Sequence, residues 1–159
     1  MRAFLLAGLI LAASGGAAVA APGDAVDATD NNAMIQFRPV VDCAAHPSAP
    51  HLSIYSPQAH CLGDAVITEK DFVRLERQRL GGSPILRAML TPEAREKFYY
   101  ATRDQRFQPM ALLVMGRPTR VGIVGAPIGS NWVMISGGYL TDTELNRVAD
   151  RYYAQGGRD

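Results

Sequence analysis

Five side chains able to bind a metal or take part in thiol chemistry fall within one short window. Between Asp42 and Gly63 lie both cysteines, Cys43 and Cys61, and all three histidines, His46, His51 and His60. The simpler chemistry for this set is a disulfide, because two cysteines flanking one loop pair readily in an oxidising compartment. Closing a loop of this size contributes about 3 kcal/mol on the chain-entropy account. The sharper alternative is a metal site. Cys and His together match no finger or ribbon spacing, and the thiolates would have to stay reduced. With the disulfide intact, His46, His51 and His60 remain as a histidine-only set of candidate ligands, against the plainer reading that they are solvated loop residues. The expectation is a Cys43–Cys61 disulfide, no metal and no cofactor, with a metal-binding envelope protein using the His46/His51/His60 loop as the alternative.

Elsewhere the residue patterns of catalysis are missing. The chain has no G-x-S-x-G, no H-E-x-x-H and no G-x-x-x-x-G-K-S/T. Gly122, Gly125 and Gly129 have the wrong spacing for a dinucleotide fingerprint and suit a hairpin and the turns around Pro127. His60 and Cys61 are adjacent, an awkward geometry for a Cys–His nucleophile, and a disulfide removes the thiol altogether. Glu93, Glu96, Asp142 and Glu144 fall in the first turns of expected helices, where the macrodipole accounts for them. Tyr99-Tyr100 and Tyr152-Tyr153 form two adjacent pairs; one member of each can pack on a sheet while its neighbour forms an exposed aromatic ledge. No catalytic residue is assigned, and the protein is expected not to be an enzyme.

The N-terminus sets the expected compartment. Met1-Arg2 is a positive start, Ala3 to Leu11 an apolar stretch and Ala18-Val19-Ala20 a small-residue cleavage site, together a signal peptide over 1–20. The run is short for a membrane span, and no later stretch is long and apolar enough. The mature chain is therefore expected in the periplasm, or outside the cell where there is no second membrane. Removing Arg2 from the 16 basic residues leaves 15 against 15 acidic ones. That balance argues against electrostatic capture of nucleic acid or anionic membrane. Residues 21–33, rich in turn formers and poor in large apolar residues, read as a flexible leader. By length, 34–155 is one domain.

The elements that must carry these residues follow from periodicity and capping. Met34 to Val41 fits a first strand, with Pro39 confining it to an edge or ending its pairing. Asp42 to Gly63, with Pro47, Pro50 and Pro57, is a long loop. Ala65-Val66-Ile67 is a short strand, and Thr68 with Asp71 a helix-start or turn signal. Phe72 to Arg79 alternates imperfectly, as a half-solvated strand or, second, a short amphipathic helix. Leu80 to Pro84 turns the chain into a hairpin with the Ile85–Leu90 strand. Thr91-Pro92-Glu93 starts a helix that runs to about Asp104, with Ala94, Phe98 and Ala101 on one face. Met110 to Met115 is apolar enough for a central strand, Thr119 to Val124 returns from a turn at Gly116, and Trp132 to Ser136 is another strand. Thr141 and Glu144 form a capping box, with Leu140 able to staple to Leu145. Leu145, Val148, Ala149 and Tyr152 follow as one apolar stripe. The fold class is α+β: two layers, a mostly antiparallel sheet with two main helices packed on one face.

These elements resemble a known domain. The stretch from Ile85 to Tyr153 is similar to the head subdomain of the first periplasmic domain (P1) of the SecD (SecDF) protein-translocation subunit. The resemblance rests on Leu90-Thr91-Pro92 and the helix with Phe98 and Thr102, the Ala111-Leu112-Leu113-Val114 strand, and Ala126-Pro127-Ile128. It continues through Ile135-Ser136-Gly137-Gly138-Tyr139-Leu140-Thr141 into a helix with Ala149. Ala65-Val66-Ile67-Thr68 and Asp71 resemble the lead-in, so 65–153 forms a head-like core and 34–64 is a divergent addition. The family's proton-coupled work resides in charged residues of membrane spans, and no position here inherits it. What the resemblance implies is a binding surface for translocating, unfolded polypeptide or another envelope protein, with Sec translocon components as partners.

Overall fold

The computed structural model describes residues 33–52, 60–136 and 140–158. The expected signal peptide, almost all of the leader, Pro57 and the Gly137-Gly138-Tyr139 segment lie outside the described residues. The elements run β1 (Ile35–Asp42), β2 (His60–Leu62), β3 (Ile67–Thr68), β4 (Phe72–Leu80), β5 (Ser83–Leu90), α1 (Pro92–Asp104), β6 (Pro109–Val114), β7 (Arg117–Ile123), β8 (Trp132–Ile135) and α2 (Asp142–Ala154). The class is α+β, with the strands divided between two antiparallel sheets. One has the order β2-β1-β6-β7, with β3 beside β2 on the same flank of β1; the other has the order β4-β5-β8.

Alternation sorts the side chains of the first sheet. Ile35, Leu112 and Val114 point into the main core, which they share with Leu75, Leu86 and Ile135 of the second sheet and with both helices. Val40, Leu62, Ala111 and Leu113 face the other way and form a smaller cluster with Leu52 and Val121. Strand β6 is thus buried on both faces, as its MALLV run predicts.

Pro39 does not mark an edge. Strand β1 lies between β6 and the β2/β3 flank, and Pro39 is in register with Met110. The Pro39 carbonyl accepts from Gly63 N (2.9 Å) and that of Phe37 from Val66 N (2.8 Å), both on the β2/β3 flank. A strand residue's N–H and C=O point the same way, so the missing N–H of Pro39 faces the junction where β3 stops and β2 begins. The ladder to β6 loses nothing.

Backbone chemistry sets the joints. Strands β4 and β5 meet at Gly81-Gly82, and β6 and β7 at Met115-Gly116, two-residue loops with positive φ at both positions. Thr68 caps a 3₁₀ turn at Glu69–Asp71 through a reciprocal capping box with Asp71. Thr91 caps α1 by accepting from Ala94 N at 3.1 Å, and Thr141 with Glu144 forms the expected box on α2. At its C-terminus α2 closes with two bonds, Gly156 N to Tyr153 O and Gly157 N to Tyr152 O, Gly156 having φ 89°. That Schellman closure turns the tail back, so that Arg158 O accepts from Leu75 N at 2.9 Å on β4. The buried stripe of α2 is Leu145, Val148, Ala149 and Tyr152, and Leu140 packs on the same core as Leu145. On α1 the fully buried residue beside Ala94 and Phe98 is Thr102, whereas Ala101 is half-buried.

Candidate functional site

A groove of about 320 Å³ opens between the two sheets where each of them ends. Among the described residues β7 is the last strand of the first sheet and β8 the last of the second, so each wall is a sheet edge. The floor is Phe37 of β1, Phe98 of α1, and Met110 and Leu112 of β6. The two phenyl rings meet edge to face at 5.4 Å. Ile123 and Ile128 form one rim and Met134 of β8 the other. These three are 65%, 36% and 56% exposed, so large apolar groups stand open to solvent along one continuous feature.

Glycine creates the room. Gly122 is in register with Met110, so it belongs to the face of β7 that overlooks the floor. A Cβ at Gly122 or at Gly125 would meet nothing within 4 Å. Thr102 fixes the far rim: its buried hydroxyl donates to Phe98 O at 2.7 Å and accepts from Ile128 N at 2.8 Å. The loop holding Ala126-Pro127-Ile128 is thereby tied to α1, and burying a polar residue on that helix is accounted for.

Among the residues lining the groove the charged one is Arg120. Among the described residues the groups whose pKa is displaced lie elsewhere: burial pulls the Arg38 guanidinium of β1 down, and a hydrogen bond to Asp104 pushes that of Arg103 on α1 up. Burial pushes the Tyr152 phenol up, and hydrogen bonds from Thr141 hold the Glu144 carboxyl down. The groove is built for apolar contact and main-chain pairing. The pocket over Tyr99 and Tyr100 is different in character, lined also by Glu93, Arg95 and Glu96; neither tyrosine packs on a sheet as one of the pair was expected to, the two residues being 40% and 45% exposed.

The cysteine–histidine window resolves as follows. Cys43 and Cys61 form a disulfide with Cα atoms 5.0 Å apart. His46, His51 and His60 are all exposed. Among the described residues the close group of possible metal ligands is Cys43, His51 and Cys61, so the three histidines do not assemble. Sequence reasoning had no signal for Phe37, Gly122, Ile123 or Met134 as site residues. One was available in retrospect: Trp132-Val133-Met134-Ile135 is apolar on both faces although it ends a sheet.

No protein-family model matches the chain, and no curated protein matches it. Solved structures do. The fold is similar to a crystal structure of SecDF in a super-membrane-facing form, with a TM-score of 0.56 and 20% identity. The match covers 73% of this chain and 18% of that one. It is also similar to a structure of SecDF described as a membrane component that enhances protein export, with a TM-score of 0.59 and 19% identity. That match covers 79% of this chain and 63% of the other, so this chain spans less than two thirds of either. The fold is thus that of the SecDF P1 head, as the sequence resemblance implies, and at these identities the likeness is one of fold. No helix among the described residues is long and apolar enough to cross a membrane.

Proposed function

We propose that residues 34–155 form a non-catalytic accessory module of the cell envelope that binds extended, apolar segments of unfolded polypeptide. The observation that carries this reading is the apolar groove between β7 and β8, each the edge of its sheet among the described residues. An extended segment entering it pairs its backbone with a sheet edge and seats alternate side chains over Phe37, Phe98 and Met110. The similarity to SecDF, described as enhancing protein export, agrees with a client in transit or with a contact to translocation components. The Cys43–Cys61 bond agrees with a periplasmic or otherwise exported location.

The test is direct binding of a permanently unfolded secretory polypeptide, followed by fluorescence anisotropy on the purified domain. Gly122→Val puts two methyl groups into the open space above the floor, at a position where φ is not positive and a Cβ meets nothing within 4 Å. It should weaken binding by at least about tenfold, the effect of losing roughly 1.4 kcal/mol of contact, while leaving thermal stability unchanged or raised. A substitution at the exposed end of β4, Leu80→Ser, should leave binding intact. Equal binding by parent and Gly122→Val would refute the assignment of this groove.

A further inference from the structure

The corner where β1 ends holds a chemical group that polypeptide binding does not use. Cys43 Sγ lies 3.7 Å from His51 Nδ1, and the ligand atoms of Cys43, His51 and Cys61 all lie within 4.8 Å of one another. Ligands of a tetrahedral zinc, with Zn–S near 2.3 Å and Zn–N near 2.0 Å, stand about 3.5–3.8 Å apart. The Cys43–His51 pair already has that separation. What closes the site is the sulfur–sulfur bond itself.

The backbone holds the three residues together independently of that bond. Cys61 pairs with Val41 on one side and with His51 on the other. Leu52 N donates to His60 O at 2.7 Å and Leu62 N to Pro50 O at 2.8 Å. The turn after β1 is fixed by Ala44 N donating to Asp42 Oδ1 at 2.9 Å. Cys61 itself is buried at 1% exposure, whereas Cys43 is half-buried and His51 exposed. The imidazole is therefore the ligand that faces an incoming ion.

We propose that reducing this disulfide turns the corner into a Cys₂His site for a thiolate-preferring divalent cation of the zinc class. A small dithiol supplies the reduction. Its two electrons and two protons pass to the two sulfurs as the Cys43–Cys61 bond breaks, and it leaves as its own disulfide. The cation then displaces both thiol protons to solvent and takes the Nδ1 lone pair of His51, with the ring proton on Nε2. The fourth position, on the exposed side, is left to water. The oxidised protein cannot bind, because neither sulfur has a thiolate to offer, so metal uptake reads out the redox state of the loop.

The experiment uses the full processed protein, reduced with a dithiol, desalted without oxygen and titrated with Co²⁺ as the spectroscopic stand-in for zinc. The expected result is one ion per chain, thiolate-to-cobalt charge-transfer absorption, and loss of that absorption on adding Zn²⁺. The oxidised protein should show none of it. His51→Ala, at an exposed position, should weaken uptake at least about tenfold, and His46→Ala and His60→Ala should not change it. Near-UV circular dichroism of the reduced protein, recorded first, checks the scaffold. A reduced protein that loses its native spectrum, that stays native without thiolate–cobalt absorption, or that binds equally well as His51→Ala overturns the proposal.

Discussion

Glu69 should be among the most sensitive positions in the chain, although it is a charged residue in a short connecting turn. Its two carboxylate oxygens each accept a main-chain hydrogen bond from the start of β1, Oε1 from Met34 N at 2.9 Å and Oε2 from Ile35 N at 3.0 Å. Both donors are buried, at 1% and 0% exposure, and Glu69 itself is at 9%. Glu69→Gln keeps the shape and leaves no cavity. The amide has one oxygen, so one N–H loses its acceptor and faces an NH₂ group, costing about 1–3 kcal/mol. The other bond falls from charge-assisted to neutral, a further loss of about 1 kcal/mol. The sum is about 3 kcal/mol, a large share of the roughly 5–15 kcal/mol that holds a domain of this kind together. Urea unfolding followed by the fluorescence of Trp132, the single tryptophan, measures it. Its ring sits under the Arg87 guanidinium at 3.9 Å in the folded state. A Glu69→Gln midpoint within about 0.5 kcal/mol of the parent would show that water or a rearranged strand satisfies those donors.

Other positions give smaller or opposite effects. Met115 holds φ 52° in the β6–β7 loop with its side chain exposed; Met115→Asn should raise stability by about 0.5–1 kcal/mol in a thermal melt, because Asn tolerates that backbone region. Gly157→Ala should destabilise by about 1–3 kcal/mol in the same melt, since the added methyl would overlap the ring of Tyr152, whose hydroxyl is bonded to Phe72 O. The Glu144 carboxyl is held below its ordinary value by hydrogen bonds from Thr141. Its contribution is therefore fully present above the unfolded-state value near 4.5 and fades as pH falls through the lower folded-state value. Thr141→Ala keeps the main-chain donor, the larger cause, and loses only the hydroxyl, so it should lessen that part of the acid dependence in melts taken from pH 3 to 7 without abolishing it, while costing about 1 kcal/mol of capping at neutral pH.

What was legible in the sequence was local. Thr91-Pro92 and the Thr141/Glu144 box place both helix starts, because capping is decided within four residues. MALLV announces a strand covered on both faces, and two cysteines around one loop announce their bond. The division into two sheets was not legible, because it depends on which strands meet across long separations, as β5 meets β8. Pro39 misled for a related reason: the rule against proline in an inner strand depends on which neighbour its missing N–H faces, and here that neighbour is a gap between two short strands. The groove was hidden because its floor joins Phe37, Phe98 and Met110 from three elements, and its space is owed to Gly122, a residue that reads as turn chemistry. Gly157-Arg158 passes for a frayed end until the Schellman closure brings it under Tyr152 and onto β4.

On the proposed function, the gap between β7 and β8 receives an extended polypeptide. Site-specific photo-crosslinking in cells addresses it most directly, with the probe at Ile123 and Met134 on the rims and, as controls, at Val73 and Leu80, which are also exposed. Crosslinks are expected from the two rim positions to exported chains in transit, lost in the Gly122→Val background, and few from the controls. Equal crosslinking from all four positions, or rim crosslinks that survive Gly122→Val, would contradict it.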